Sequence, residues 1–417
     1  MKVYVDTIGC RLNQSEIEKI AAQFREEGYE ITADPAAADL VVVNTCAVTA
    51  KASADSRKAI RHAGRSGHAQ LVVTGCWATL SPAEAGSMPG VSRVVSNLQK
   101  DQLVTLVMGR EHPLETNSRQ PLPGSRKRTR AFIKVQDGCD NFCTYCVTRV
   151  ARGSARSVPV PEVLADVRAA VDGGAKEVVL TGVHLGSWGQ EFAEKKHLQD
   201  LVKKILKETD VPRVRLSSLE PWDLHESFFS LWENSRLCPH LHLPLQSGSQ
   251  NTLRRMARKI SPMDFFKLVE TARRYVPEVA ITTDMIVGFP GETEQDFEES
   301  LNFAREISFA GGHVFAFSPR EGTPAARYEG QVDIQVKKQR SERLRHLFAE
   351  MEKSYSQEFV GKVVGVLWEN QNENGLLKGL SGNYLKISAV AKQNLWNEIS
   401  QVKIIKKDGK FLAGEIL

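Results

Sequence analysis

The sequence predicts an α/β protein in three parts: a doubly wound parallel sheet, a partial (β/α)6 barrel and a small C-terminal β-barrel. Three observations predict it. Apolar strands and amphipathic helices alternate from residue 2 to about 350, the pattern of parallel sheets. A proline-containing stretch without hydrophobic period, 111–130, divides that alternation in two. After about residue 360 the texture changes to short strands spaced by turns. The expected parts are therefore 1–110, a linker over 111–130, 131–352 and 353–417.

In the first part, Lys2-Val-Tyr-Val5 reads as a strand ending at Thr7-Ile-Gly-Cys10. Ser15 to Gly28 reads as an amphipathic helix, with Ile17, Ile20, Ala21 and Phe24 at helical spacing and Gly28 as the stop. Leu40-Val-Val-Val43 is an apolar strand ending at Asn44-Thr-Cys46, and a helix over Ala50 to His62 follows. Gln70-Leu-Val-Val73 ends at Thr74-Gly-Cys76, and Val91-Ser-Arg-Val-Val95 is a last short strand. Each of the first three strands thus ends in a cysteine. In a doubly wound sheet the carboxyl ends of the strands share one edge, where ligands sit, so Cys10, Cys46 and Cys76 are expected to converge. They read as a three-thiolate cluster site with an open iron. The alternative is three small core residues, since free cysteine is often simply buried.

The linker carries Arg119, Arg126, Lys127, Arg128 and Arg130 in its basic second half. A phosphate-contacting strap and a solvated linker are both open readings.

The next part opens on Ala131-Phe-Ile-Lys-Val135 and then Cys139-Asp-Asn-Phe-Cys143-Thr-Tyr-Cys146, three cysteines spaced x3 then x2. A structural zinc site wants four protein ligands, and no fourth cysteine or histidine is near; the next histidine is His184. A cubane iron–sulfur cluster uses thiolates at its corners, and one held by three cysteines leaves an iron open. Further strands are expected at Glu177–Leu180, Arg213–Leu216, His240–Pro244, Ala280–Ile286 and His313–Phe317. Helices are expected at Pro161–Val171, His197–Lys207, Pro262–Tyr275 and Glu294–Ile307. In such barrels the chemistry sits at the carboxyl ends of the strands. Polar and glycine-rich turns fall there, including Leu180-Thr-Gly-Val-His-Leu-Gly186, Ser217-Ser-Leu-Glu-Pro221 and Thr283-Asp-Met-Ile-Val-Gly-Phe-Pro-Gly-Glu292. Cys238 reads as structural. The histidines at 184, 240, 242 and 313 read as satisfied core or edge groups, and the basic run Arg254-Arg-Met-Ala-Arg-Lys259 as a solvated helix face, with contact to nucleic acid as the alternative.

Gln335 to about Phe359 reads as a charged helix closing this part. Five short strands follow: Val363–Leu367, Gly375–Gly379, Tyr384–Ile387, Gln401–Ile405 and Phe411–Ile416. Lys362, Lys378, Lys386 and Lys392 with Trp368 and Tyr384 would supply charge and stacking surfaces. A barrel used only for packing is the alternative.

Composition bounds the setting. At 417 residues the chain has room for several cores, and 41% hydrophobic with 25% charged residues describes a globular protein. Met1-Lys-Val-Tyr-Val-Asp6 is a strand start without the apolar core of a signal peptide, and no apolar run is long enough to span a bilayer. No membrane partner and a cytoplasmic location are expected, where seven cysteines argue for metal or catalysis rather than disulfides. A net charge of +5 permits a polyanion partner without demanding one.

The Cx3Cx2C motif, with Tyr145 before its last cysteine, resembles the signature of radical S-adenosylmethionine (SAM) enzymes. That resemblance implies that the open iron takes SAM, with Cys139, Cys143 and Cys146 as ligands and Tyr145 beside the cofactor. It implies that Thr181, Gly182 and Val183 lie near the methionine moiety. Ser217 and Glu220 would face the ribose or carboxylate region with help from Gln246, and Ile286, Val287 and Gly288 would cradle the adenine. The C-terminal strands resemble the TRAM domain, a small RNA-binding barrel. The three parts together resemble the radical SAM methylthiotransferase family over essentially the whole chain. The family resemblance implies two [4Fe-4S] clusters, the second on Cys10, Cys46 and Cys76, with SAM as both methyl donor and radical source. It also implies an electron donor such as a flavodoxin or ferredoxin, and a sulfur donor. Thr7-Ile-Gly-Cys-Arg-Leu-Asn-Gln14 and Val43-Asn-Thr-Cys-Ala-Val-Thr49 most resemble the bacterial subgroup acting on carbon 2 of N6-threonylcarbamoyladenosine at position 37, in the tRNA anticodon loop. That subgroup usually has Leu at the position of Ile8. The alternatives are N6-isopentenyladenosine in tRNA, a ribosomal-protein aspartate or, from another class, a zinc-stabilised RNA-binding protein without catalysis.

Overall fold

The computed structural model describes residues 1–66, 69–109 and 129–417. The expected linker therefore lies outside the described residues except at its end, where Arg130 opens a strand and pairs with Glu369 at 2.7 Å.

The N-terminal sheet consists of β1 (Lys2–Thr7), β2 (Glu30–Thr32), β3 (Leu40–Thr45), β4 (Gln70–Gly75) and β5 (Val91–Val95). Their order is β2-β1-β3-β4-β5, and every pair is parallel. All six residues of β3 are buried, as a central strand covered on both faces must be. Ile17, Ile20 and Phe24 pack on one face with Val42 and Val72, while Ile60 packs on the other with Val41 and Val73. The strand order reverses between β1 and β3, and the chain reaches Cys10 and Cys46 directly after those two strands. That reversal is the switch point at which doubly wound sheets open a crevice. The first helix spans Arg11–Glu26, so it starts four residues before the expected Ser15. Its first turns bury Asn13, Ser15 and Glu16, and these polar residues hide the helical face from an apolar count. The short strand β2 was not expected: it has a single buried residue, Ile31, too little to mark a strand in the sequence.

The middle part contains two parallel three-stranded sheets. β6 (Arg130–Lys134) lies outermost in the first, which has the order β10-β9-β6 with β9 (Glu177–Thr181) and β10 (Arg213–Leu216). A two-residue ribbon, β7 (Gln136–Asp137) with β8 (Arg156–Ser157), brackets the cysteine loop. The second sheet runs β11 (His240–His242), β12 (Ala280–Val287), β13 (Gly311–Ala316). Single bridges at Val214–Leu237 and Ser218–His242 join the two halves into an open six-stranded arc. The expected helices appear at Val160–Asp172, Leu198–Glu208, Pro262–Tyr275 and Glu294–Ile307, and pack a continuous core around the arc.

A helix over Ile334–Gln357 leads into a closed barrel of β14 (Val363–Gln371), β15 (Leu376–Ser381), β16 (Lys386–Val390), β17 (Ile399–Asp408) and β18 (Phe411–Ile416). Trp368 is fully buried inside it, its indole N–H donating to Ser400 Oγ at 3.1 Å, so it offers no stacking surface. Lys362 and Lys386 pair with Glu278 and Glu352. Two of the four lysines expected to face a partner therefore tie this barrel to the rest of the chain. Two arginines of β10 make the firmer joint. Arg213 donates to the Leu380 and Gly365 carbonyls at 3.1 and 2.6 Å. Arg215 donates to the Ser381 and Gly382 carbonyls while its other edge grips Glu177 at 2.7 Å. Cys238 is buried beside that pair, 3.9 Å from Glu177, away from both cysteine triads.

Candidate functional site

Cys10 caps the first helix, Cys46 follows β3 and Cys76 opens a short helix after β4. The three converge on one cavity of about 910 Å³, which all three line. The approach is close: a Cβ placed on Gly9 would run into Cys46. Burial pushes the Cys46 thiol up to about 11. Without a metal this thiol is protonated at neutral pH, and a metal bound there would displace the proton. Cys10 Sγ lies 3.8 Å from Asn13 Oδ1, and the Asn97 amide reaches Cys76 Sγ at 3.5 Å and the Ala151 carbonyl at 2.9 Å. Asn97 therefore links this triad to the segment after the second.

That second triad sits in the loop between β7 and a short helix, Thr148–Arg152. The Asn141 N–H points at Cys139 Sγ at 3.4 Å, and the Cys146 N–H bonds the Cys143 carbonyl at 3.0 Å, so the loop is tightly turned around its cysteines. Burial pushes the Cys143 thiol up to about 11, with Arg258 pulling the other way. Arg258 donates to Cys143 Sγ at 3.8 Å and to Glu220 at 2.7 Å, and lies 4.4 Å over the Trp222 ring. His184 Nε2 lies 2.6 Å from Asp223, and the Asn141 amide is 3.2 Å from Nδ1. Burial opposes charge on this ring, but its bonds to Asp223 and Cys139 outweigh burial and hold it at about 10. Arg258 is thus no solvated helix residue and His184 no simple core histidine: both face the cysteine loop. Among the described residues no group of three or more His, Cys, Asp or Glu is arranged to hold a metal ion. Thiolates on one zinc would stand only ~3.8 Å apart, whereas a cubane holds its thiolates at separate corners and needs them further apart.

A buried ionic network fixes the two triads relative to each other. Arg152 donates to Glu16 at 2.8 Å, to Asp137 at 2.9 Å and to Asn13 at 2.8 Å. Lys100 completes it with Glu16 at 2.7 Å and Asn44 at 3.1 Å. The sequence gives no hint of this network, whose members lie up to 139 residues apart.

Thr181, Gly182, Val183 and Ser217 line the same cavity as Cys10, Cys46 and Cys76. Ser217 Oγ is buried there without a partner. Glu220 stands beside the cysteine loop through Arg258. Tyr145 packs edge-on to Phe289 at 6.5 Å, and Ile286 packs in the same apolar cluster. Gln246, with φ +75°, bonds β12 through Asp284 and Ile286. Val287 is buried in the barrel core, and Gly288, with φ +68°, follows it. Ile286, Val287 and Gly288 do not line the cavity; they end β12 on the Tyr145 side. The site is completed by His240, His242, Thr282, Asp284 and His313 from the second half-barrel, and by Tyr384, Lys386 and Phe411 from the C-terminal barrel. The three histidines, read from sequence as satisfied core or edge groups, are cavity-wall residues. The residues suit an iron–sulfur group at both triads: in the first, three thiols follow neighbouring parallel strands and line one cavity, in the second three share one short loop, and amide, imidazole or guanidinium groups lie beside the sulfurs.

Residues 133–304 match the radical SAM superfamily, and residues 2–96 match an uncharacterized protein family, UPF0004. Two relatives carry the name threonylcarbamoyladenosine tRNA methylthiotransferase MtaB. The one from Bacillus subtilis is 35% identical, covering 99% of this chain and 95% of the relative. The one from Thermotoga maritima is 38% identical, covering 98% and 95%. A tRNA-2-methylthio-N(6)-dimethylallyladenosine synthase of Anoxybacillus flavithermus is 32% identical, covering 100% and 83%. Among solved structures, the radical SAM methyltransferase TsrM of Kitasatospora setae shares the fold at 15% identity, with a TM-score of 0.61 over 78% of this chain and 75% of that one. No helix among the described residues is long and apolar enough to cross a membrane. The superfamily implies SAM and a [4Fe-4S] cluster. With relatives matched over nearly its whole length, this chain belongs to the radical SAM tRNA methylthiotransferase family.

Proposed function

We propose that this enzyme adds a methylthio group to carbon 2 of N6-threonylcarbamoyladenosine at position 37 of tRNA, using two [4Fe-4S] clusters. The observation that carries the reading is the shared cavity: Cys10, Cys46 and Cys76 open onto the same space as the strand-end residues Thr181, Gly182, Val183 and Ser217. The relatives named for threonylcarbamoyladenosine are 34–38% identical, against 31–32% for those named for dimethylallyladenosine, which favours the former substrate.

In this reading Cys139, Cys143 and Cys146 hold the cluster that binds SAM, and Cys10, Cys46 and Cys76 hold the second. When bound, these groups supply radical chemistry and a methyl source for a C–H carbon that no acid or base side chain activates. The chain does the rest. Thr181, Gly182 and Val183 place the amino-acid end of SAM, with Ser217, Glu220 and Gln246 at its carboxylate and ribose. Tyr145 closes over the cofactor, and Ile286, Val287 and Gly288 offer backbone to the adenine. Arg258 fixes Glu220 and places a positive charge at Cys143. The units are 1–110, the linker 111–130, 131–352 and 353–417, the last contacting the anticodon arm. A flavodoxin or ferredoxin supplies electrons, a separate donor supplies sulfur, and the setting is the cytoplasm.

The test is metal content under exclusion of oxygen. The intact chain is expected to hold about eight irons and the variant Cys10→Ala/Cys46→Ala/Cys76→Ala about four, with SAM cleavage retained. About four irons in the intact chain, or zinc in their place, refutes the two-cluster reading.

A further inference from the structure

Away from the cysteines, one wall of the cavity carries more polar groups than folding needs. Thr282 Oγ1 lies 3.0 Å from His240 Nε2 and 2.9 Å from His242 Nδ1. His242 Nε2 lies 3.3 Å from Asp284 Oδ2. His240 stacks on Tyr384, ring centroids 4.6 Å apart and planes at 16°. The Tyr384 hydroxyl accepts from Arg11 Nη2 at 3.0 Å. Every one of these residues lines the cavity.

Three atoms on the cavity lining are buried and unpaired: His240 Nδ1, Asp284 Oδ1 and Ser217 Oγ. His240 is 2% exposed and Ser217 5%. A buried polar atom without a partner is disfavoured, and three in one cavity are the mark of groups awaiting ligands. Among the described residues Arg11 has no carboxylate partner, although it lines the same space one residue after Cys10.

We infer that this wall is a subsite for a polar, carboxylate-bearing substituent on N6 of the adenine, with Arg11 taking the carboxylate and His240 and Asp284 pairing its N–H and O–H groups, while Ser217 is left to SAM. The inference rests on the function proposed above and deepens it. A threonylcarbamoyl group brings a carboxylate, a hydroxyl and ureido N–H groups; an isopentenyl group brings none. A site built to pair polar groups rejects the analogue lacking them, because its own buried atoms are then left bare.

The test titrates cluster-loaded enzyme with three synthetic anticodon stem-loops that differ only at N6 of adenosine 37: threonylcarbamoyl, isopentenyl and unsubstituted. The wild type is expected to bind the first at least about 30-fold more tightly than the second, and Arg11→Met and His240→Phe each to cut that ratio by about tenfold. Thermal melting reports whether each variant is folded; Thr282→Val, nearly isosteric, is read in the same way and should also narrow the ratio. A wild-type ratio near one, or folded variants that keep the wild-type ratio, overturns the subsite. Preference for the isopentenyl stem-loop together with its methylthiolation overturns the proposed function itself. Methylthiolation of the threonylcarbamoyl stem-loop with unaltered ratios in the variants overturns the subsite alone.

Discussion

Replacing Arg152 by Met should loosen the joint between the N-terminal sheet and the cysteine loop. The guanidinium is 2% exposed and reaches Glu16 and Asn13 on one side and Asp137 on the other. Removing one partner of a buried ion pair costs about 3–5 kcal/mol, because the remaining charge stays desolvated. Lys100 still holds Glu16 at 2.7 Å, so the lower end, about 3 kcal/mol, applies. At about 1.4 kcal/mol per tenfold this multiplies opening of the joint roughly 100-fold. Hydrogen exchange reads it directly: amides of the Arg11–Glu26 helix and of the Thr148–Arg152 turn should lose protection together. Exchange within about threefold of wild type at both segments would refute the argument that this network holds the two triads in register.

Three further outcomes follow from the same geometry. Gly75 sits at φ +100° and an added Cβ would strike the Thr45 backbone; Gly75→Ala should displace Cys76, halving the iron bound while SAM cleavage persists. Arg258→Met should slow SAM cleavage by about 10–100-fold, from lost charge at Cys143 and a stranded Glu220, with a shifted potential for the cluster on that loop; an unaltered rate and potential would remove Arg258 from the site. Burial alone would raise the Glu16 carboxyl, but Arg152, Lys100 and Lys134 outweigh it and hold the group well below the usual range. A carboxyl depressed in the folded state stabilises above its unfolded value, near 4.3, and that stability is lost as pH falls through the folded value. Melting temperature should therefore fall on the acid side of about pH 4, and the Glu16→Gln variant should show a flatter acid limb.

What the sequence disclosed was whatever local spacing could carry. The Cx3Cx2C triad is contiguous, and the other three cysteines were legible because each follows an apolar strand, and parallel strands share an edge. The polar contacts that complete the site were hidden because they are made by residues distant in sequence. Arg152 belongs to a five-residue helix whose composition reveals nothing of Glu16. Arg258 sits in a run of basic residues that looks solvated until Glu220 and Trp222 fold over it. His240, His242 and Asp284 alternate along neighbouring strands, and only the open side of the arc decides that they face a cavity. Trp368 was misplaced for the converse reason: in a barrel this small, an aromatic that could stack on a base is also the side chain that best fills the interior.

The central claim is tested most directly by mass spectrometry of nucleosides from total tRNA of cells with and without this gene. The account predicts that the methylthio form of threonylcarbamoyladenosine disappears while its unmodified precursor accumulates, and that Cys46→Ala fails to restore it. An unchanged level of that nucleoside, with loss instead of methylthio-isopentenyladenosine, would contradict it.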